Sequence, residues 1–361
     1  MQQTTLLPDS RARIVEVLWE NPGLSRVELA EILGVDKSTM SRGVGRLLAA
    51  GVLKETESRG SGPKGGRRRT NLKVNGDWGL WLGLEVQPDA CIGVLVDFAG
   101  RPRAEFHVAP TFADSGLAGV LESAKRMAVE RSGILGIPLV SAGLAVPGVL
   151  RPGTGIIEKS RPLGIREPTD LGLIASKVLG IDTAVENDVN CSCRAEMRFV
   201  DRTMSRNFMF VMAEARRTGM SLGLGTVING VLHLGDHGAG GEILSVFRKE
   251  GDDQLSLSTD ILTQAASDTR ALASVVSELA PQLAMLANAL DIDRLVLGGL
   301  FRRYFDSLAP AFRVAARQGR TYPDLANPEI LPAVRGDEAV AYGAAIHFTD
   351  HLFEQSFWRN I

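Results

Sequence analysis

The segment Asp36-Lys37-Ser38-Thr39-Met40-Ser41-Arg42-Gly43-Val44-Gly45-Arg46-Leu47-Leu48 opens with a carboxylate able to cap a helix. Met40, Val44, Leu47 and Leu48 then follow at i, i+4, i+7 and i+8, one apolar stripe of an α-helix. That stripe turns Lys37, Ser38, Thr39, Ser41, Arg42 and Arg46 outward. Short hydroxyls and long cations near a helix N-terminus reach phosphates and base edges when the helix lies in a major groove. Gly43 and Gly45 run against this reading, each costing about 1 kcal/mol relative to Ala inside a helix. Upstream, Ser25-Arg26-Val27-Glu28 is a capping box opening a short helix that carries Leu29, Ala30, Ile32 and Leu33, and Gly34-Val35 makes the turn into the next helix. Ser25 and Arg26, at the start of that helix, join the candidate DNA contacts. Asp9 or Ser10 can cap a first helix bearing Ile14, Val17 and Leu18, which Asn21-Pro22-Gly23 stops.

Downstream of Gly51, residues 52–56 and 69–74 read as two strands of a wing. Between them lies a glycine-rich basic loop with Lys64, Arg67, Arg68 and Arg69, suited to a backbone or minor-groove contact. The expectation is an all-α/winged helix-turn-helix DNA-binding domain over residues 1–78, against the plainer alternative of a helical protein–protein module with a solvated charged face. Charge distribution points the same way. Residues 1–75 hold 13 Lys and Arg against 8 Asp and Glu, whereas the remainder holds 27 against 34. A basic head on an acidic body is the pattern expected of a DNA-contacting module joined to a domain that does not touch DNA.

With 45% hydrophobic and 23% charged residues, the 361-residue chain reads as a soluble globular protein of two or three domains. No apolar run has the length of a membrane span and the N-terminus does not read as a signal peptide, so a cytoplasmic location is expected. The three cysteines, Cys91, Cys191 and Cys193, lack disulfide spacing, and the C-x-C pair has no second pair or neighbouring His, so neither a metal nor any other cofactor is expected. From Leu80 the pattern changes to strands: 80–86, 91–97 and 103–108, then a helix over roughly 116–131 and a strand over 140–146. A similar unit begins at Asn207, with strands over 208–213, 222–228 and 231–234. Two such units imply an internal duplication whose lobes enclose a cleft.

Several landmarks in this order carry a family resemblance: Gly65-Gly66-Arg67 with Asn71–Asn75, Gly143-Leu-Ala-Val-Pro-Gly148, Glu186-Asn187-Asp188-Val189-Asn190, Gly230, His237–Glu242, Gly298-Gly299 and Ala341–Ala345. The chain resembles the ROK family of repressors and sugar kinases, and in particular its xylose-type and N-acetylglucosamine-type repressors. The resemblance implies an α/β actin/hexokinase-like (RNase H-like, duplicated) two-lobe domain. The first lobe would span 79–185, completed by a C-terminal helix within 338–361, and the second 186–337. It also implies a sugar or sugar-derivative effector bound by Gly148, Asn187, Asp188 and Glu242. In the family's kinases the residue matching Asp188 is the base that takes a proton from a sugar hydroxyl.

The departures from the family pattern concern chemistry. Where the kinases read DxGGT this chain reads Glu85-Val86-Gln87-Pro88-Asp89. Pro88 has no N–H to donate, and Val86 and Gln87 bring side chains where bare backbone must approach phosphate. The second phosphate loop has Met220-Ser221 in place of Thr-Gly, and no Cys or His follows Glu242 where zinc-bearing relatives place them. The reading is therefore a DNA-binding transcriptional regulator, without enzymatic activity, of a carbohydrate uptake or catabolism operon. Its partners would be a palindromic double-stranded operator, a sugar effector and a second copy of itself in a homodimer or higher oligomer. One alternative is an active sugar kinase with a DNA-binding head; another is a regulator whose large domain serves only to dimerise. Arg151, Arg161 and Arg166 suit an acidic sugar, though a solvated loop is the plainer reading.

Overall fold

The computed structural model describes residues 10–56, 70–199, 206–216, 219–251, 254–322, 324 and 328–352. The chain begins with three helices, α1 (Ser10–Glu20), α2 (Arg26–Leu33) and α3 (Lys37–Ala49), followed by a hairpin of β1 (Leu53–Thr56) and β2 (Asn71–Val74). Asp36 caps α3 by accepting from the Ser38 and Thr39 backbone N–H groups, and Met40, Val44 and Leu47 are buried beneath it. Gly34 supplies the left-handed turn after α2 at φ 64°. Ile32, expected on the packed face, is 55% exposed, because α2 buries only Leu29 and Ala30.

The first lobe contains β3 (Leu80–Val86), β4 (Cys91–Asp97), β5 (Pro102–His107), α4 (Phe112–Leu135), β6 (Leu139–Val146), β7 (Val149–Leu150), β8 (Ile156–Lys159), β9 (Thr169–Asp170), α5 (Leu171–Leu179) and β10 (Thr183–Asn187), which runs past the expected boundary at 185 because it pairs with β6 through Asn187; α6 (Asp188–Phe199) follows between the lobes. The second contains β11 (Phe208–Arg216), β12 (Gly219–Ile228), β13 (Val231–Leu232), α7 (Thr259–Gln264), α8 (Thr269–Ala289), β14 (Arg294–Gly299), α9 (Leu300–Arg303), α10 (Phe305–Gln318) and β15 (Glu329–Pro332). Helix α11 (Ala339–Leu352) ends the described chain. Helix α4 starts earlier than the sequence pattern suggests and is interrupted at Gly116, whose φ of 66° is not helical.

The two sheets have the same topology. In one the order is β5-β4-β3-β6-β10, in the other β13-β12-β11-β14-β15. Each has an antiparallel meander of its first three strands and two further strands added in parallel beside the first. The duplication is therefore visible strand for strand. The helices that follow the fifth strands, α6 and α11, pack on each other, and α11 lies across β3, β4 and β6 of the first sheet while α6 contacts β11 and β12 of the second. Glycines make this closeness possible. A Cβ at Gly343 would overlap the Cys191 backbone carbonyl, and Cβ atoms at Gly223 and Gly225 would overlap Val189 and Cys193.

The head is joined to the first lobe by packing as well as by chain. Ile14, Leu18, Met40 and Leu72 of the head share one buried cluster with Trp81, Phe98, Ala195 and Tyr342. Burying aromatic surface of this size outweighs a surface contact, so the head and the first lobe share one core.

Candidate functional site

Two candidate sites exist, one on the head and one between the lobes. On the head, Lys37, Ser38, Ser41, Arg42 and Arg46 of α3 are exposed, and Thr39 is half-buried. The Ser38 and Thr39 hydroxyls each donate to the Asp36 carboxylate at 2.6 Å, and with the two backbone N–H groups they hold that carboxyl well below the usual range. Arg42 reaches Thr39 Oγ1 only loosely, at 3.4 Å. The structure treats Ser25 and Arg26 differently from α3. Ser25 is buried, its hydroxyl donating to Glu28 Oε2 at 2.7 Å and accepting from the Glu28 N–H, so it is committed to capping α2. The Arg26 guanidinium pairs with Glu55 of β1 at 2.9 Å. Lys64, Arg67, Arg68 and Arg69 lie outside the described residues.

Between the lobes lies a cleft of about 1300 Å³. Its wall brings together residues that are far apart in sequence: Gly148 after β6, Asn187 and Asp188 at the start of α6, and Glu242 in the long loop after β13. Lys159, Arg161 and Arg166 line the same cleft, whereas Arg151 pairs with Glu158 at 2.6 Å outside it. Desolvation in the cleft raises the Glu242 carboxyl, the Asp188 carboxylate nearby adds to this, and Arg161 opposes it. Asn187 is held from both sides. Its Oδ1 accepts the Val189 and Asn190 N–H groups, which caps α6, and its Nδ2 donates to Gly148 O at 3.1 Å. Asp188 shares that duty through Oδ1, which accepts from the Val189 N–H at 2.9 Å.

The other oxygen of Asp188 meets a residue the sequence reading treated only as an obstruction. Gln87 Nε2 donates to Asp188 Oδ2 at 3.0 Å and to Glu85 Oε1 at 3.2 Å. All three residues are at least 94% buried, with exposures of 3%, 6% and 5%. The amide thus stands between two carboxylates, supplying a donor that keeps the pair from facing each other bare. The reading of position 87 rested on side-chain size alone; nothing in the local sequence announced that the amide would find Asp188. The Cys91, Cys191 and Cys193 thiols are buried and free, and burial pushes Cys91 up to about 12. Among the described residues no group of three or more His, Cys, Asp or Glu is placed to hold a metal ion, and no helix is long and apolar enough to cross a membrane.

Comparison with known proteins adds the family. Residues 7–62 match the MarR family and residues 95–244 the ROK family. The chain thus carries a MarR-like helix-turn-helix segment followed by a segment that matches the ROK family. It is 24% identical over 287 residues to the xylose repressor of Caldicellulosiruptor bescii, covering 77% of this chain and 68% of that one. It is 26% identical over 248 residues to the xylose repressor of Bacillus spizizenii, covering 67% and 61%. The aligned stretches thus span about two thirds of these relatives' length. Among solved structures, a ROK family transcriptional regulator homologous to the E. coli MLC protein superposes with a TM-score of 0.74 at 17% identity over 95% of this chain and 96% of that one. A ROK family glucokinase from Streptomyces griseus, solved with glucose and AMPPNP, superposes with a TM-score of 0.58 at 20% identity over 74% and 98%. The fold of a winged helix-turn-helix followed by an actin/hexokinase-like domain is therefore shared with regulators and, over its large domain, with kinases.

Proposed function

We propose that this protein is a cytoplasmic transcriptional repressor that binds a palindromic operator as a homodimer and senses a sugar or sugar derivative in a cleft that has lost kinase activity. The observation that carries the reading is the Gln87–Asp188 hydrogen bond. A general base must present a basic lone pair to the proton it removes. Here each Asp188 oxygen already accepts a hydrogen bond, from Gln87 and from the Val189 N–H, which lowers its basicity, and Pro88 follows where a phosphate-binding turn needs an amide donor. What the cleft retains is hydrogen-bonding capacity for hydroxyls at Glu242 and at the remaining lone pairs of Asn187 and Asp188. The exposed face of α3 supplies the other half of the function.

Two measurements test the proposal. Thermal shift against pentoses, hexoses, amino sugars and sugar acids identifies an effector, and the wild-type chain selects its operator from random duplex DNA. The effector should change operator affinity at least tenfold, a coupling of about 1.4 kcal/mol. Asp188→Asn should keep DNA binding without effector and lose most of that change. Equal effector responses in wild type, Asp188→Asn and Glu242→Gln would move the sensing site elsewhere. The kinase reading is favoured by the presence of Asp188 in the cleft and is separated by ATP consumption: turnover above roughly 1 per second on any of these sugars would replace the repressor-only account. A large domain that serves only to dimerise would leave every sugar without a thermal shift.

A further inference from the structure

Helix α6 touches both the cleft and the DNA-binding head. Its twelve residues span about 18 Å. At the first turn Asp188 is in the cleft wall and accepts from Gln87. At the last turn the Arg198 guanidinium lies 4.1 Å over the ring of Trp19, on α1 of the head, and its Nη2 donates to the Trp19 carbonyl at 3.4 Å. Trp19 in turn meets Trp81 of β3 edge-on at 6.4 Å.

Between these ends the helix is gripped along its length. Asn190 and Arg194 bond Glu186, Glu196 accepts the Val334 N–H at 2.6 Å, and the Gly223, Gly225 and Gly343 backbones lie against it. A helix packed this closely cannot bend to absorb a shift and passes it on as a rigid body.

We propose that α6 is the element through which the cleft acts on the DNA-binding head. Gln87 is the positioning residue that holds its first turn, and Arg198 is the positioning residue that transmits the helix's place to Trp19. The inference builds on the sensing role proposed above, but its test uses no effector, so the two fail separately.

Hydrogen exchange is followed by mass spectrometry on the full chain, comparing wild type with Gln87→Ala. Amides of residues 189–193 should exchange at least tenfold faster, those of residues 15–21 in the head severalfold faster, and those of α8 in the second lobe as in wild type. In Arg198→Ala, adding Gln87→Ala should no longer alter residues 15–21. Three results would overturn the proposal: loosening of α6 with the head unchanged, loosening of α8 together with the head, or no response in α6. Should Gln87→Ala fail to fold, Gln87→Glu preserves the shape while setting a third carboxylate beside Glu85 and Asp188, and the same peptides decide the question.

Discussion

Helices α3 and α6 are nearly equal in length, thirteen and twelve residues, and each has a polar face; what differs is where that face points. On α3 the polar face meets water: Lys37, Ser38, Ser41, Arg42 and Arg46 are exposed. On α6 Asp188, Asn190, Ser192 and Glu196 are buried and bonded to other parts of the chain. Cations that reach water beside an apolar stripe form a surface for something outside the molecule. Polar groups consumed inside it make the helix a connector, because any change at one partner must be accommodated by the others.

The comparison breaks most readily at the α6–α11 contact. Gly343→Ala places a methyl group against the Cys191 backbone, which no rotamer change can relieve, so the two helices must separate. The expected loss is about 3 kcal/mol of stability, read as a lower urea midpoint. An unchanged midpoint would mean α6 is not gripped as described.

On α3 the same logic predicts loss of binding without loss of fold. Arg42→Ala or Arg46→Ala should weaken selected operator DNA by about 1–3 kcal/mol, measured by fluorescence anisotropy, while the melting temperature stays within error of wild type. Arg26→Ala should have a smaller effect on DNA, since that guanidinium is already paired with Glu55. Equal losses at Arg26 and Arg42 would remove the special status of α3.

A third test sharpens the cost of a buried polar face. Burial pushes the Glu196 carboxyl up to about 7, with the Val334 N–H among the groups opposing it. Its ordinary value is 4.5. Because the folded state binds this proton more tightly than the unfolded one, stability from this group is greatest below the unfolded value and declines as pH rises toward 7. Glu196→Gln removes that dependence and still offers an oxygen to Val334. It should raise stability at pH 8 by on the order of 2 kcal/mol and change it little at pH 4, as measured by urea denaturation at both values. A gain of equal size at both pH values would assign the effect to packing.

The head was legible because its signals are local. Asp36 and the Met40–Val44–Leu47 stripe lie within one helix, and the Gly34 turn needs a single residue at positive φ. The duplicated sheets were legible for a related reason: their central strands are short, almost wholly buried apolar runs, and the three-strand unit occurs twice along the chain. What the sequence did not disclose depends on distant partners. Gln87 lies 101 residues from Asp188, and Trp19 lies 179 from Arg198. Neither pair follows from periodicity; each exists only once sheet register and the α6–α11 packing are set. The same cause places the capping of α6 largely on Asn187, whose side chain the chain path from β10 directs at the Val189 and Asn190 N–H groups.

The smallest effect offers the finest division between the two helices. Gly45 is exposed in the middle of α3, and a Cβ built on it meets nothing within 4 Å. A glycine there sacrifices about 1 kcal/mol of helix propensity with no packing inside the protein to require it. It falls seven residues after Ser38 and three after Arg42, on the same face of the helix as both. If that face lies against DNA, the missing side chain lets backbone approach a phosphate or a base edge closely. Gly45→Ala should therefore stabilise the protein by about 0.5–1 kcal/mol and at the same time weaken operator binding severalfold. At Gly343 on α11 the same substitution destabilises, because there the space is filled by the protein itself. Thermal melts and anisotropy on one preparation read both signs. A gain in stability with DNA affinity unchanged would show that Gly45 faces solvent in the complex and would rotate the contact face of α3 away from Ser38 and Arg42.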